Sequence, residues 1–126
     1  MRNLGVHVLL ELNECQPDLL TDVAGVREKL LEAVHKGGAT VVGDYFQQFD
    51  PYGVSGMIVI AESHVSIHTW PEYGYAAVDV FTCGNPQIPY NISELVIRAF
   101  GSQRPVMCEF KRGILSGQRN TTALVA

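Results

Sequence analysis

Apolar and polar positions alternate over residues 4–12. Leu4, Val6, Val8, Leu10 and Leu12 share one parity, while Gly5, His7 and Glu11 lie on the other. A period of two predicts a half-buried strand. After Pro17-Asp18 the spacing changes. Leu19, Leu20, Val23, Val26, Leu30, Leu31 and Val34 recur at intervals of three and four, the stripe of an amphipathic helix, and Gly37-Gly38 closes it where the backbone turns left-handed. Val41, Val42, Tyr45, Phe46 and Phe49 predict a strand within 39–49, and the branched residues of 54–61 predict a second. Asp50-Pro51-Tyr52-Gly53 forms the turn between them. Residues 64–69 and 75–83 read as further strands on either side of Pro71-Glu72-Tyr73-Gly74. Pro86 and Pro89 interrupt the chain, and a short helix is expected from about Ser93, carrying Leu95, Val96, Ala99 and Phe100. Val106, Cys108 and Phe110 alternate as a last strand. From Gly113 to Ala126 the composition is polar and turn-rich, which predicts a loose tail.

The order β-α-β-β-β-β-α-β with hairpin-like connections predicts an α+β, two-layer sandwich: a mostly antiparallel sheet with both helices on one face. The other face then needs a cover, and a second copy of the chain is the expected one, giving a homodimer. At 126 residues the chain is sized for a single domain, 1–126. A net charge of −4 supplies no cationic face for phosphates, so nucleic acid is not an expected partner. The apolar stretches are too short for a membrane span, and the N-terminus lacks a secretion signal. A cytoplasmic location is therefore expected. Three cysteines, with no CxxC spacing, support neither a disulfide framework nor a zinc knuckle.

Chemically capable side chains crowd into 62–83, which holds two of the four histidines and the only tryptophan. His64 and His68 are four apart, but along a strand that is roughly 13 Å, too far for one shared metal ion; no metal is expected. Ser63, Ser66, His64, His68, Asp79 and Cys83 contain the parts of a Ser-His-Asp or Cys-His hydrolase, but no GxSxG elbow frames a nucleophile. Trp70 reads as core by its size.

The run ESHVSIHTWPE at 62–72, followed by YAAVDVFTCG at 75–84, resembles the prokaryotic S-adenosylmethionine decarboxylase proenzymes. PYGVSG at 51–56 and LGVHVLLELNEC at 4–15 are similar too, and the likeness covers roughly the first 85 residues. The resemblance implies an enzyme that makes its own cofactor. The chain is cut between Glu62 and Ser63 into a β chain, 1–62, and an α chain, 63–126. The Ser63 hydroxyl attacks the Glu62 carbonyl carbon in an N-to-O acyl shift. Loss of the Ser63 Cα proton then expels the Glu62 carboxylate, and hydrolysis with release of ammonia leaves a pyruvoyl group. By similarity, His68 accepts that proton, a task suited to imidazole, and Ser55 assists. In turnover the pyruvoyl ketone forms a Schiff base with the substrate amine and acts as electron sink, as pyridoxal phosphate does. Cys83, as a thiol, donates the proton that replaces carbon dioxide.

The same resemblance implies S-adenosylmethionine as substrate and an aminopropyl donor for spermidine and polyamine synthesis as product. Phe49 is the candidate for stacking the adenine, with His68 on the second face, and Glu72 for the ribose hydroxyls. Ser63 and His68 differ by five positions, so an unbroken strand puts them on opposite faces. Either a bulge lies between them or His68 works from a neighbouring surface. The resemblance implies a commonly apolar residue beside the stacking aromatic, whereas here Asp50 is an acid. It would suit a pyruvoyl-dependent arginine or ornithine decarboxylase of the same fold, or an ordinary turn. An inactive regulatory subunit would lack Ser63, His68 or Cys83, and all three are present.

Overall fold

The computed structural model describes residues 2–115. Six strands form one sheet: β1 (Asn3–Asn13), β2 (Val41–Gln48), β3 (Val54–Ile60), β4 (Ser63–Trp70), β5 (Tyr75–Cys83) and β6 (Arg104–Ile114). Their spatial order is β2-β3-β4-β5-β1-β6, with every neighbouring pair antiparallel. Helices α1 (Val23–Lys36) and α2 (Ile88–Ala99) pack on one face. Their apolar stripes, Val26, Leu30 and Val34 with Ile92 and Val96, bury the inward positions of the sheet, among them Val8, Leu10, Val65, Ile67 and Val80. The α+β sandwich expected from the alternation is the fold observed.

Three boundaries differ from the expectation, each for a local reason. Leu19 and Leu20 sit in a 3₁₀ turn, Pro17–Leu20, and α1 starts later because Asp22 caps it, accepting the Gly25 N–H at 2.9 Å. The second helix begins at Ile88 rather than near Ser93. Pro89 lies in its first turn, where a missing N–H costs nothing, so the proline opens the helix it was expected to precede. Gly113 and Ile114, expected in a loose tail, complete β6; residues 116–126 lie outside the described residues.

Among the described residues, none covers the second face of the sheet. Leu9, Tyr45, Met57, Val59, Val106 and Phe110 all project from it and are exposed. Trp70, expected in the core, is 40% exposed on this face, its ring 5.4 Å from that of Tyr75. The parity of β4 sends Val65, Ile67 and Thr69 inward, so an even position must face out.

Candidate active site

β4 pairs without interruption from Ser63 to His68, with β3 on one side and β5 on the other. The bulge allowed for above is absent. His64, Ser66, His68 and Trp70 therefore share the open face, while Ser63 has the parity of the buried positions and begins the strand. Its φ is 152°, a conformation L-residues rarely adopt and one that stores strain. The peptide in front of it is held from two directions. The Glu62 carbonyl accepts the backbone N–H of Cys83 at 2.8 Å. The Glu62 side chain accepts the Thr40 N–H at 3.1 Å, and the Ala61 N–H donates to the Thr40 carbonyl at 2.8 Å. A carbonyl that already receives an N–H is polarised toward attack, and the same donor stabilises an oxyanion. Cys83 itself ends β5 and is exposed.

A second group gathers at the other end of β4. Ser55 lies directly across from His68, with its Oγ 2.8 Å from His68 Nδ1. Phe49, just past β2, Ser55 and His68 line a cleft of about 360 Å³ with Tyr45 and Met57, within the range of small-molecule sites. The same three line an adjoining cleft of about 280 Å³, together with Trp70 and Glu72. Glu72 belongs to the 3₁₀ turn Pro71–Tyr73. Thus Phe49, Ser55, His68 and Glu72 come together, and Glu62, Ser63 and Cys83 come together, but the two groups are apart. Five residues of strand separate Ser63 from His68, about 16 Å. Asp50 lies in the exposed turn after β2.

Between the two groups runs a hydrogen-bonded network that the sequence did not reveal as a unit. Asp79 Oδ2 accepts from His7 Nε2 at 2.7 Å and from His64 Nε2 at 3.0 Å, and Ser66 Oγ donates to Oδ1. Arg112 Nη1 lies 3.2 Å from His7 Nδ1, its guanidinium carbon 4.7 Å from the centroid of the Phe81 ring. Gly5 makes room for that ring: a Cβ there would stand 2.9 Å from Phe81 Cε1. His7, His64 and Asp79 offer atoms within 4.8 Å of one another, the spacing of a metal centre. A guanidinium can only donate, however, so His7 Nδ1 is the acceptor and its Nε2 carries the proton given to Asp79; a metal at Nε2 would have to displace it. Nor is this a hydrolytic triad, because Asp79 sits between Ser66 and His64. His7 was visible beforehand only as a polar residue on the open parity of β1.

Burial raises the pKa of Asp79, but the hydrogen bonds from Ser66, His7 and His64 outweigh it and hold the carboxyl below the usual carboxylate range. A depressed folded-state pKa contributes stability above the unfolded value, near pH 4, and loses it as pH falls through the folded value. Asp79→Asn should therefore lower stability at pH 7 by about 1–3 kcal/mol, since three donors lose an anionic acceptor. It should also shrink the loss of stability below about pH 4. Chemical denaturation at both pH values reads the two effects; equal sensitivity to acid in parent and variant would count against the network.

The family model for S-adenosylmethionine decarboxylase matches residues 6–113. The chain belongs to this family. The match extends well past the first 85 residues that carry the recognisable motifs. S-adenosylmethionine decarboxylase proenzyme of Thermodesulfovibrio yellowstonii is 49% identical over 116 residues, covering 92% of this chain and 86% of the relative. The proenzyme of Thermotoga maritima is 44% identical over 113 residues, covering 90% and 87%. The crystal structure of the adenosylmethionine decarboxylase from Aquifex aeolicus superposes with a TM-score of 0.88 at 37% identity, covering 95% of this chain and 99% of that one. None of these names an arginine or ornithine decarboxylase. Among the described residues, no helix is long and apolar enough to cross a membrane.

Proposed function

We propose that this S-adenosylmethionine decarboxylase cleaves itself between Glu62 and Ser63, turns Ser63 into a pyruvoyl group, and works as a dimer whose active site is shared between two copies. The observation carrying the first part is the Glu62–Ser63 peptide: its carbonyl rests on the Cys83 amide and Ser63 has a φ of 152°. Strain raises the energy of the amide, and the Cys83 N–H is in place for the charge that develops on its oxygen when the Ser63 hydroxyl attacks. The relatives named as proenzymes support the same reading. A pyruvoyl ketone at residue 63 supplies an acceptor for the electrons left behind as carbon dioxide departs. Around it the chain's own residues position and protonate. Cys83, beside residue 63 across the strand, is the proton donor to the substrate carbon. His68, fixed by Ser55, takes the Ser63 Cα proton during processing.

The second part follows from the separation of the two groups. One copy cannot bring His68 to its own Ser63 along an unbroken strand, whereas a second copy lying face to face and antiparallel sets its His68 above the end of β4 that Ser63 begins. Such a dimer also buries the exposed apolar residues of this face, among them Leu9, Met57, Val59 and Phe110. In the shared site Phe49 stacks the adenine and Glu72 accepts the ribose hydroxyls. The product then serves as aminopropyl donor in polyamine synthesis, and the reaction belongs in the cytoplasm. Purified protein offered carboxyl-labelled S-adenosylmethionine, arginine and ornithine in turn should release labelled carbon dioxide from the first alone. Release from arginine or ornithine but not from S-adenosylmethionine would reverse the substrate assignment.

A further inference from the structure

We infer that the shared-site dimer is set in register by two reciprocal ion pairs, Glu11 of each copy with Arg112 of its partner. The inference rests on the face-to-face arrangement proposed above. Both residues project from the open face, Glu11 from β1 and Arg112 from β6. Glu11 is bonded there by the neutral Tyr75 hydroxyl, at 2.6 Å. Burial, and then this bond, push the Tyr75 pKa up to about 12; the phenol is an uncharged donor and offers the carboxylate no counter-charge. Among the described residues, the Arg112 guanidinium lies over the ring of Phe81 and bonds His7 Nδ1. Among the described residues, neither has an oppositely charged partner within ion-pair distance. Of the other charged groups on this face, Asp79 is hydrogen-bonded by His7, His64 and Ser66, and Arg104 is paired with Glu14 at 2.9 Å.

The strand registers supply the geometry. A two-fold axis between the faces, perpendicular to the strands, brings Ser63 over the partner's His68 if it crosses β4 between Val65 and Ser66. Val65 and Ser66 pair with Val80 and Asp79, these with Val8 and Leu9, and these with Glu109 and Cys108. The axis therefore crosses β1 between Val8 and Leu9 and β6 between Cys108 and Glu109. Glu11 lies on one side of that line. Arg112, paired with Gly5, lies on the other. Rotation carries Arg112 of the partner to Glu11's side, offset in the plane of the sheet by one strand and one residue, about 6 Å. Two long side chains close such a gap between faces about 10 Å apart. The operation makes the contact twice, as an isologous interface requires. Within one chain the pair is impossible: Glu11 stands opposite Val106, six residues from Arg112, about 20 Å along the strand and beyond the Debye length of about 8 Å at physiological salt. Coupling between the two in one chain has no direct route, so coupling in dimer stability reports a contact between copies.

Sedimentation equilibrium of the full-length protein tests this with Glu11→Gln, Arg112→Gln and the double variant. Each single variant should raise the dimer dissociation constant at least tenfold, and the double no further than the worse single, because both changes delete the same pairs. Effects that multiply, or singles that dissociate like the parent, overturn the ion pair while leaving the shared site standing. The parent supplies an independent check should a variant misfold: its dissociation constant should rise at least tenfold between about 0.05 and about 0.5 M salt, and a flat response overturns the pair. A parent that cleaves itself as a monomer overturns the shared site as well.

Discussion

Ser63→Ala should leave a single uncleaved chain with decarboxylation at background. The hydroxyl is the only nucleophile that the proposed acyl shift uses, and alanine carries none, so neither the ester nor the ketone derived from it can form. The fold should be spared, since Ser63 starts β4 at a half-buried position and its side chain makes no hydrogen bond to another side chain among the described residues. A denaturing gel and release of labelled carbon dioxide read both effects together. Fragments split at residue 62 in this variant would mean that another group cuts the chain.

Ser63→Ala and His68→Ala chains should restore each other when co-expressed, although each alone is inactive. The structure separates Ser63 and Cys83 from Ser55 and His68 by about 16 Å of strand, so in a face-to-face dimer each site takes one group from each copy. A mixed dimer then has one site with Ser63 and Cys83 from the His68→Ala chain and Ser55 and His68 from the Ser63→Ala chain. Its other site lacks both residues. Random assembly at equal expression makes half the dimers mixed with one good site each, so activity should reach about a quarter of the parent's. Only the His68→Ala chain should be cleaved, which a tag on one of the two chains reveals. Silence of the mixture, with mixed dimers present, would place the whole site within one copy.

Much of the fold could be read from the chain because two periods dominate it. The alternation of Val6, Val8, Leu10 and Leu12 marks the buried side of β1, and the three-and-four spacing from Val23 to Val34 marks the buried side of α1. The ends of helices were less legible, because capping decides them: Asp22 delays α1 and Pro89 opens α2. Trp70 was misplaced because its size suggested burial while strand parity sent it outward. The motifs at 51–56, 62–72 and 75–84 pointed to the candidate residues without placing them. Whether Ser63 meets a His68 depends on how a second copy lies across the open face of the sheet, which no local pattern carries. The network around Asp79 was hidden for the same reason: Arg112 and His7 are 105 positions apart in the chain, and only the pairing of β6 with β1 joins them.

A covalent change at residue 63 underlies both processing and turnover, and mass spectrometry of freshly purified parent protein under denaturing conditions reads it. Two chains are expected, residues 1–62 with an ordinary C-terminal Glu62, and residues 63–126 blocked at the N-terminus and lighter by one ammonia than a chain beginning with serine. A folded, dimeric protein whose mass is that of the intact 126-residue chain, with an unmodified serine at position 63, would contradict it.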